Sequence, residues 1–393
     1  MFRIEKDSMG EVKVPQNAKF GAQTQRAADN FPISGIGFNR AFIQALGIIK
    51  KSAAKANAGL NLLDTEVSLA IQQACDQVID GSLDDQFVID IFQTGSGTSS
   101  NMNTNEVISH VANEKHPNLQ TPVHPNDHVN FGQSSNDVIP TAIRISSVVH
   151  IQQELLPALA YLAEAFDAKG AEYAHVVKTG RTHLMDAMPV TIAQQFSGYS
   201  RQLRLGMDRI TDALVRLTEL PQGGTAVGTG INTDAKFGEL FAKEVASETG
   251  CAFKEAENHF EAQATVDAPV EMSAQLKTIA VGMMKMANDL RWMNSGPNSG
   301  LGEVQLAALQ PGSSIMPGKV NPVIEESVAM VCAQVIGNDT TITVAGQSGN
   351  FELNVMLPVV AHNLLQSIQI LANAARNFAD KSVSLLKVRE DVI

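Results

Sequence analysis

A chain of 393 residues, 44% of them hydrophobic, can bury a large core, and its formal charge of −12 without any basic run argues against nucleic acid as a partner. Three isolated cysteines, Cys75, Cys251 and Cys332, argue against a disulfide framework and a Cys-ligated zinc. The charged start, Met1 to Gly10, has no apolar h-region and no run of about 18 apolar residues follows it, so the reading is a cytoplasmic protein with no membrane partner. Aromatic residues make up only 5%, which favours helix packing over sheet.

Residues 1 to 37 are rich in turn signals, among them Met9-Gly10, Val14-Pro15 and Phe31-Pro32. Within them Arg26 is a candidate anchor for an interface or a substrate arm, with a surface role equally open. From Arg40 to Leu60 apolar residues recur at three- and four-residue steps, which predicts a helix. A second is predicted from Asp64 to Ile79, ended by Gly81. The stretch from Gln93 to Glu106 carries hydroxyls, amides and glycines and almost nothing apolar. It lacks the Gly-Lys-Ser/Thr ending of a P-loop. It reads as a polar turn opening a helix over Val107–Val111, with N–H groups and hydroxyls available to an anion. His124-Pro125-Asn126-Asp127-His128 sets two histidines at a chelating spacing. Pro125 breaks a helix there and no third ligand is in view, so no metal is expected, and His124, Pro125, Asn126 and Asp127 are kept as a possible secondary anion site. Gln133-Ser134-Ser135-Asn136-Asp137 is a further polar cluster before a long helix, with Ser135 or Asn136 as its N-cap.

That helix is predicted from Pro140 to Val176, interrupted by Pro157. Comparable patterns run from Ile192 to Leu220, Val266 to Met293 and Asn354 to Val383, with a shorter one from Pro322 to Gly337. Long amphipathic helices without strands predict an all-α extended bundle. Stretches apolar nearly all round, such as Ile279 to Met286, need neighbours on every side and point to oligomerisation. Between two of the helices, Gly180-Arg181-Thr182-His183 places an imidazole in a polar loop, where it can carry protons given a carboxylate partner. Glu325 and Glu326 are the candidates, Glu326 preferred. The glycine-rich run Gly223 to Thr233 either borders a pocket or merely turns the chain.

The most particular stretch is Gly312-Ser313-Ser314-Ile315-Met316-Pro317-Gly318-Lys319-Val320-Asn321-Pro322. Its glycines and prolines forbid a regular element. Lys319 brings a positive charge and Asn321 an amide, and Asn-Pro is a helix start, so the loop delivers groups that suit a carboxylate.

On this loop, on Gln93-Thr94-Gly95-Ser96-Gly97-Thr98 and on Gln133-Ser134-Ser135-Asn136-Asp137, the chain resembles the class II fumarases of the aspartase/fumarase superfamily. The resemblance runs from Glu5 to Asn354. It implies reversible trans addition of water to fumarate, giving L-malate through an aci-carboxylate, without metal or cofactor. Ser313 would be the base, and His183, paired with Glu326, would protonate the leaving hydroxyl. Ser96, Gly97, Thr98, Ser134, Ser135, Asn136, Thr182, Ser314, Lys319, Val320 and Asn321 would bind the dicarboxylate. The fold implied is a long-helix bundle that joins three others in a tetramer core of about twenty helices, with each site drawing on different chains. The expected division is an N-terminal domain over 1–132, a bundle over 133–388, and a stub at 389–393 of a small C-terminal domain that the chain lacks. Thr121-Pro122 stand where relatives with a secondary anion site place an Arg, which weakens that site. The alternatives are aspartate ammonia-lyase and an inactive scaffold like the lens crystallins of this superfamily. The intact Ser313, His183, Glu326, Lys319 and Asn321 disfavour the scaffold.

Overall fold

The computed structural model describes residues 1–393. The chain opens with a hairpin of β1 (Phe2–Asp7) and β2 (Gly10–Pro15), followed by helices α1 (Ala22–Asn30), α2 (Arg40–Gly59), α3 (Thr65–Asp80), α4 (Thr98–Lys115), α5 (Ser135–His150) and α6 (Leu156–Glu172). A second hairpin, β3 (Val177–Thr182) and β4 (Met185–Thr191), leads into α7 (Ile192–Leu217). Then come β5 (Glu219–Leu220), α8 (Phe237–Thr249), β6 (Lys254–Glu255), α9 (His259–Ala264), α10 (Asp267–Met293) and β7 (Val304–Gln305). The last elements are α11 (Val323–Gly346), β8 (Gly349–Asn350), β9 (Leu353–Asn354), α12 (Leu357–Lys381) and β10 (Lys387–Val388).

The expected helices form where capping chemistry marks them. Asp64 accepts from Glu66 N and Val67 N to open α3, and Gly81, left-handed at φ 92°, closes it. The expected all-α class holds, with five short two-stranded ladders between the helices. Three expectations need correction. Helix α4 begins at Thr98, not at Val107, because the polar residues Ser100, Asn101, Asn103, Thr104 and Asn105 are buried inside the helix. The long helix opens at Ser135 and passes a π-helical turn at Ile151–Leu155, just ahead of Pro157. Helix α11 continues to Gly346, past the expected end at Gly337.

Two compact units divide the chain. The first comprises Met1–Val149, Leu214–Glu271 and Thr340–Leu365. Its core gathers Val67, Ile71, Cys75 and Val78 of α3 with Val107, Ile108 and Val111 of α4. Helix α2 packs on both α3 and α8. Arg26 closes the N-terminal hairpin by donating to both carboxylate oxygens of Asp7 and to Gly10 O, so it is an anchor within the chain.

The second unit comprises His150–Ala213, Met272–Asp339 and Gln366–Ile393. Phe166 of α6 stands edge-on to Phe196 and Tyr199 of α7 and to Phe378 of α12. Asp339 of α11 accepts from Ser273 Oγ and Lys277 Nζ of α10. Helix α11 is long and apolar enough, by length and composition, to cross a membrane. Its Glu325 and Asp339 are buried and hydrogen-bonded inside the unit, as befits a core helix of a bundle.

Candidate active site

In the first unit, the Gln93–Thr98 turn and the Ser134–Asp137 turn meet. Gly97 sits at φ 71° before α4, a conformation that favours glycine, and a Cβ there would press on Ile139 at 2.8 Å. Three hydroxyls then form a chain: Ser96 Oγ lies 2.7 Å from Thr98 Oγ1, which lies 2.6 Å from Ser135 Oγ. Helix α5 is capped one residue earlier than expected. Ser134 Oγ accepts from Asn136 N at 3.2 Å and Asp137 Oδ1 accepts from Ser134 N at 2.9 Å, a reciprocal capping box. Neither Ser135 nor Asn136 spends its side chain on the cap. Asn136 Nδ2 instead donates to Ala226 O at 2.8 Å. The glycine-rich run is thereby tied behind the turn, since Asp137 Oδ2 also accepts from Gly223 N and Thr225 N.

In the second unit, the loop expected to carry His183 is a two-residue hairpin turn between β3 and β4, with Thr182 opposite Met185. His183 and Leu184 are both left-handed, at φ 55° and 62°, as a type I′ turn requires. The hairpin base is held by a buried carboxylate. Glu303 meets Arg181 Nη1 at 2.7 Å and Lys178 Nζ at 3.3 Å, while the tip with Thr182 and His183 is exposed.

The Gly312–Pro322 stretch closes on itself. Gly312 N donates to Lys319 O at 2.9 Å and Asn321 Nδ2 donates to Gly312 O at 3.3 Å. The Asn321 side chain thus ties the loop rather than capping α11, which is a second correction to the cap chemistry. Ser313 Oγ accepts from Ile315 N and Met316 N, each at 3.3 Å. Gly318 turns the chain at φ 84°. Ser314, Lys319 and Val320 are exposed.

Of the two candidate acids, Glu325 is buried and takes the Ser382 hydroxyl; burial raises its carboxyl above the usual range. Glu326 is exposed in the first turn of α11. His183, at the hairpin tip, and Glu326 are both exposed, so the chain does not bury the expected pair together. The His124–Asp127 stretch is a π-helical turn in which His128 Nδ1 accepts from His124 N and His124 Nδ1 lies 3.1 Å from Asp127 Oδ2. It borders a cavity of about 500 Å³ shared with Arg3, Lys6, Lys19 and His110.

Two groups escaped the sequence reading. Asp137 was seen only as part of a polar motif, and Lys50 was hidden in the apolar pattern of α2. Burial pushes the Lys50 ammonium down to about 7 and the Asp137 carboxyl up to about 6.

A lyase family model matches residues 10–337. The class II fumarate hydratase of Xylella fastidiosa is 56% identical over 390 residues, 99% of this chain and 82% of that protein. That of Mycobacterium tuberculosis is 53% identical over 384 residues, 98% and 80% of the two chains. Among solved structures, the class II fumarase of Schistosoma mansoni superposes with a TM-score of 0.98 at 40% identity, covering 100% of this chain and 86% of that one. A Brucella melitensis protein described as fumarate lyase:delta crystallin, bound to cobalt, gives 0.95 at 46% identity, with the same coverages. With its site motifs in place and likeness along almost its whole length, the chain belongs to the class II fumarate hydratase family of lyases.

Proposed function

We propose that the chain catalyses the reversible hydration of fumarate to L-malate, with Ser313 as the base. The carrying observation is the pair of backbone N–H groups aimed at Ser313 Oγ. A serine hydroxyl is a poor base, but two N–H donors stabilise its alkoxide, with Lys319 of the same loop to add positive charge. The alkoxide takes the C3 proton of malate, and the C–H electrons pass into the carboxylate to give the aci form. The electron pair then expels the C2 hydroxyl, which leaves as water with a proton from the His183 imidazolium, held by Glu326. Lys319 and Asn321 bear the doubled charge of the aci-carboxylate, a stabilisation greatest in the transition state.

The substrate's carboxylates are held by Ser96, Gly97, Thr98, Ser134, Ser135, Asn136, Thr182, Ser314, Lys319, Val320 and Asn321. No metal or cofactor enters this scheme. Each site draws its 134–136, 182–183 and 313–321 stretches from different chains of a homotetramer. Support for that assembly comes from apolar side chains left exposed on the long helices, Val215 on α7, Val281 and Trp292 on α10, Met330 and Val344 on α11. The division into 1–132, 133–388 and 389–393, a cytoplasmic location and weak anion binding at His124–Asp127 belong to this proposal too.

Ultraviolet absorbance of the purified chain with L-malate, and separately with L-aspartate, tests the reading. Fumarate from malate alone is expected. Fumarate from aspartate instead would make the chain an ammonia-lyase.

A further inference from the structure

Behind the Ser134–Asn136 turn lie two ionisable side chains that the proposed chemistry does not use. Lys50 of α2 is fully buried, and its amino group donates to Asn130 Oδ1 at 2.9 Å and Gln133 Oε1 at 3.0 Å. Asp137 of α5 is also fully buried. Its carboxylate accepts from Ser134 N at 2.9 Å, Thr225 N at 2.9 Å and Gly223 N at 3.2 Å. Burying a lysine and an aspartate is costly, and an apolar pair would fill the space with less penalty. What the two side chains grip gives that expense a use. Lys50 fixes Gln133 and Asn130, and Asn130 Nδ2 in turn donates to Gln133 O. Asp137 fixes the next residue, Ser134, and reaches across to the loop whose Ala226 O receives the Asn136 amide. Every residue from 133 to 136 except Ser135 is thus tied from behind, and Ser135 is tied through Thr98.

We propose that Lys50 and Asp137 are positioning residues: together they lock the Ser134–Asn136 turn and the Gly223–Thr225 loop into one piece, which sets the aim of Ser135, Asn136 and the first N–H groups of α5 at a substrate carboxylate. The inference rests on the assignment of residues 134–136 to substrate made above. Neither side chain is exposed, so both act through the turn.

The test compares Lys50→Met, Asp137→Asn and the double variant in the assembled enzyme. Asn at 137 keeps one acceptor but turns an NH2 toward backbone N–H donors. Met at 50 removes the donor to Gln133, while Asn130 Oδ1 keeps its bonds from Asn101 and Asn105. Each single change leaves a buried ionisable group without its opposite, which lowers the stability of both single variants. The double variant removes both and so recovers part of the melting temperature. The expected result is a KM for L-malate raised about tenfold or more in every folded variant, with KM not recovering in the double variant even as its stability does. A double variant with the parent KM, or a KM that returns in step with stability, overturns the inference. Asn136→Ala serves as the control. A raised KM in the control with a parent KM in the double variant sinks this inference alone. An unchanged KM in the control removes the site assignment and the inference together.

Discussion

Ser135 opens α5 and Ser313 lies in the loop that leads to α11, yet their surroundings differ. Ser135 is part of a hydroxyl chain in a half-buried turn, backed by the fully buried Lys50 and Asp137. Ser313 sits in a loop whose flanking Ile315 is 83% exposed and whose closure depends on two hydrogen bonds near its ends. One stretch is rigid before substrate arrives, as a binding surface benefits from being. The other is exposed and carries Gly318 in a left-handed turn, which suits the closure over substrate that the proposed chemistry calls for. On the proposed roles, binding and chemistry are supported by different amounts of structure, and substitutions in the two stretches should fail in different ways.

The largest contrast comes from Ser313→Ala. It should lower kcat by about 10³-fold with little change in KM, as loss of a base does. A raised KM at near-parent kcat in steady-state assays would make the serine a binding group and break the contrast. Gly95→Ala tests the rigid side. Its Cβ would meet Val355 O at 1.8 Å, so the expectation is about 3 kcal/mol or more of lost stability, read by denaturant melts. Gly318→Ala meets nothing within 4 Å but must adopt φ 84°, a cost of about 1 kcal/mol. It should leave the melting temperature nearly unchanged and lower kcat severalfold; an equal fall in stability would mean that the loop is as fixed as the turn behind Ser135.

The smallest effect is in pH. Lys50 has Asp137 and Cys75 as its ionisable neighbours, and burial pushes its ammonium down to about 7. Between pH 7 and 10.5 the unfolded chain holds a proton there that the folded chain has released, so stability rises with pH. Asp137, pushed up to about 6, acts oppositely: from roughly pH 4 to 6 the folded chain holds the extra proton, and stability falls as pH rises. Relative to Lys50→Met, the parent should gain up to about 1 kcal/mol between pH 7 and 8, measured by calorimetry. A constant difference across that range would mean that Lys50 keeps its ordinary affinity for protons.

The parts of this molecule legible in the sequence are those where local chemistry and tertiary packing agree. Asp64 and Gly81 bracket α3 in sequence as they do in space, and the period of α2, α7 and α10 is set by the faces they bury. Legibility fails where tertiary contacts override local preference. Asn101, Asn103 and Asn105 read as a turn, yet they lie inside α4, where Asn101 and Asn105 reach Asn130 and Asn103 reaches Gln86 O. The β3–β4 hairpin was read as a loop because Gly180 and Pro189 interrupt it; Gly180 lies where its register shifts. Ser313, Lys319 and Asn321 could be named from the motif, whereas the N–H groups that meet Ser313 Oγ required the folded loop. Lys50 gives no local sign at all, since it shares α2 with Lys51 and Lys55 and a helical lysine usually snorkels to the surface.

The turn that presents His183 bears on how this protein can be redesigned. A two-residue type I′ turn is best satisfied by Asn-Gly, and here it is occupied by His-Leu, with Leu184 in a region that large side chains avoid. A stability-guided optimiser, or a selection scored on expression alone, would write Asn and Gly into these two places and be rewarded with a firmer hairpin. The same edit would delete the imidazole. If His183 makes the proposed proton transfer, screens of this fold that report folding without turnover would rank a dead enzyme above a working one at residue 183.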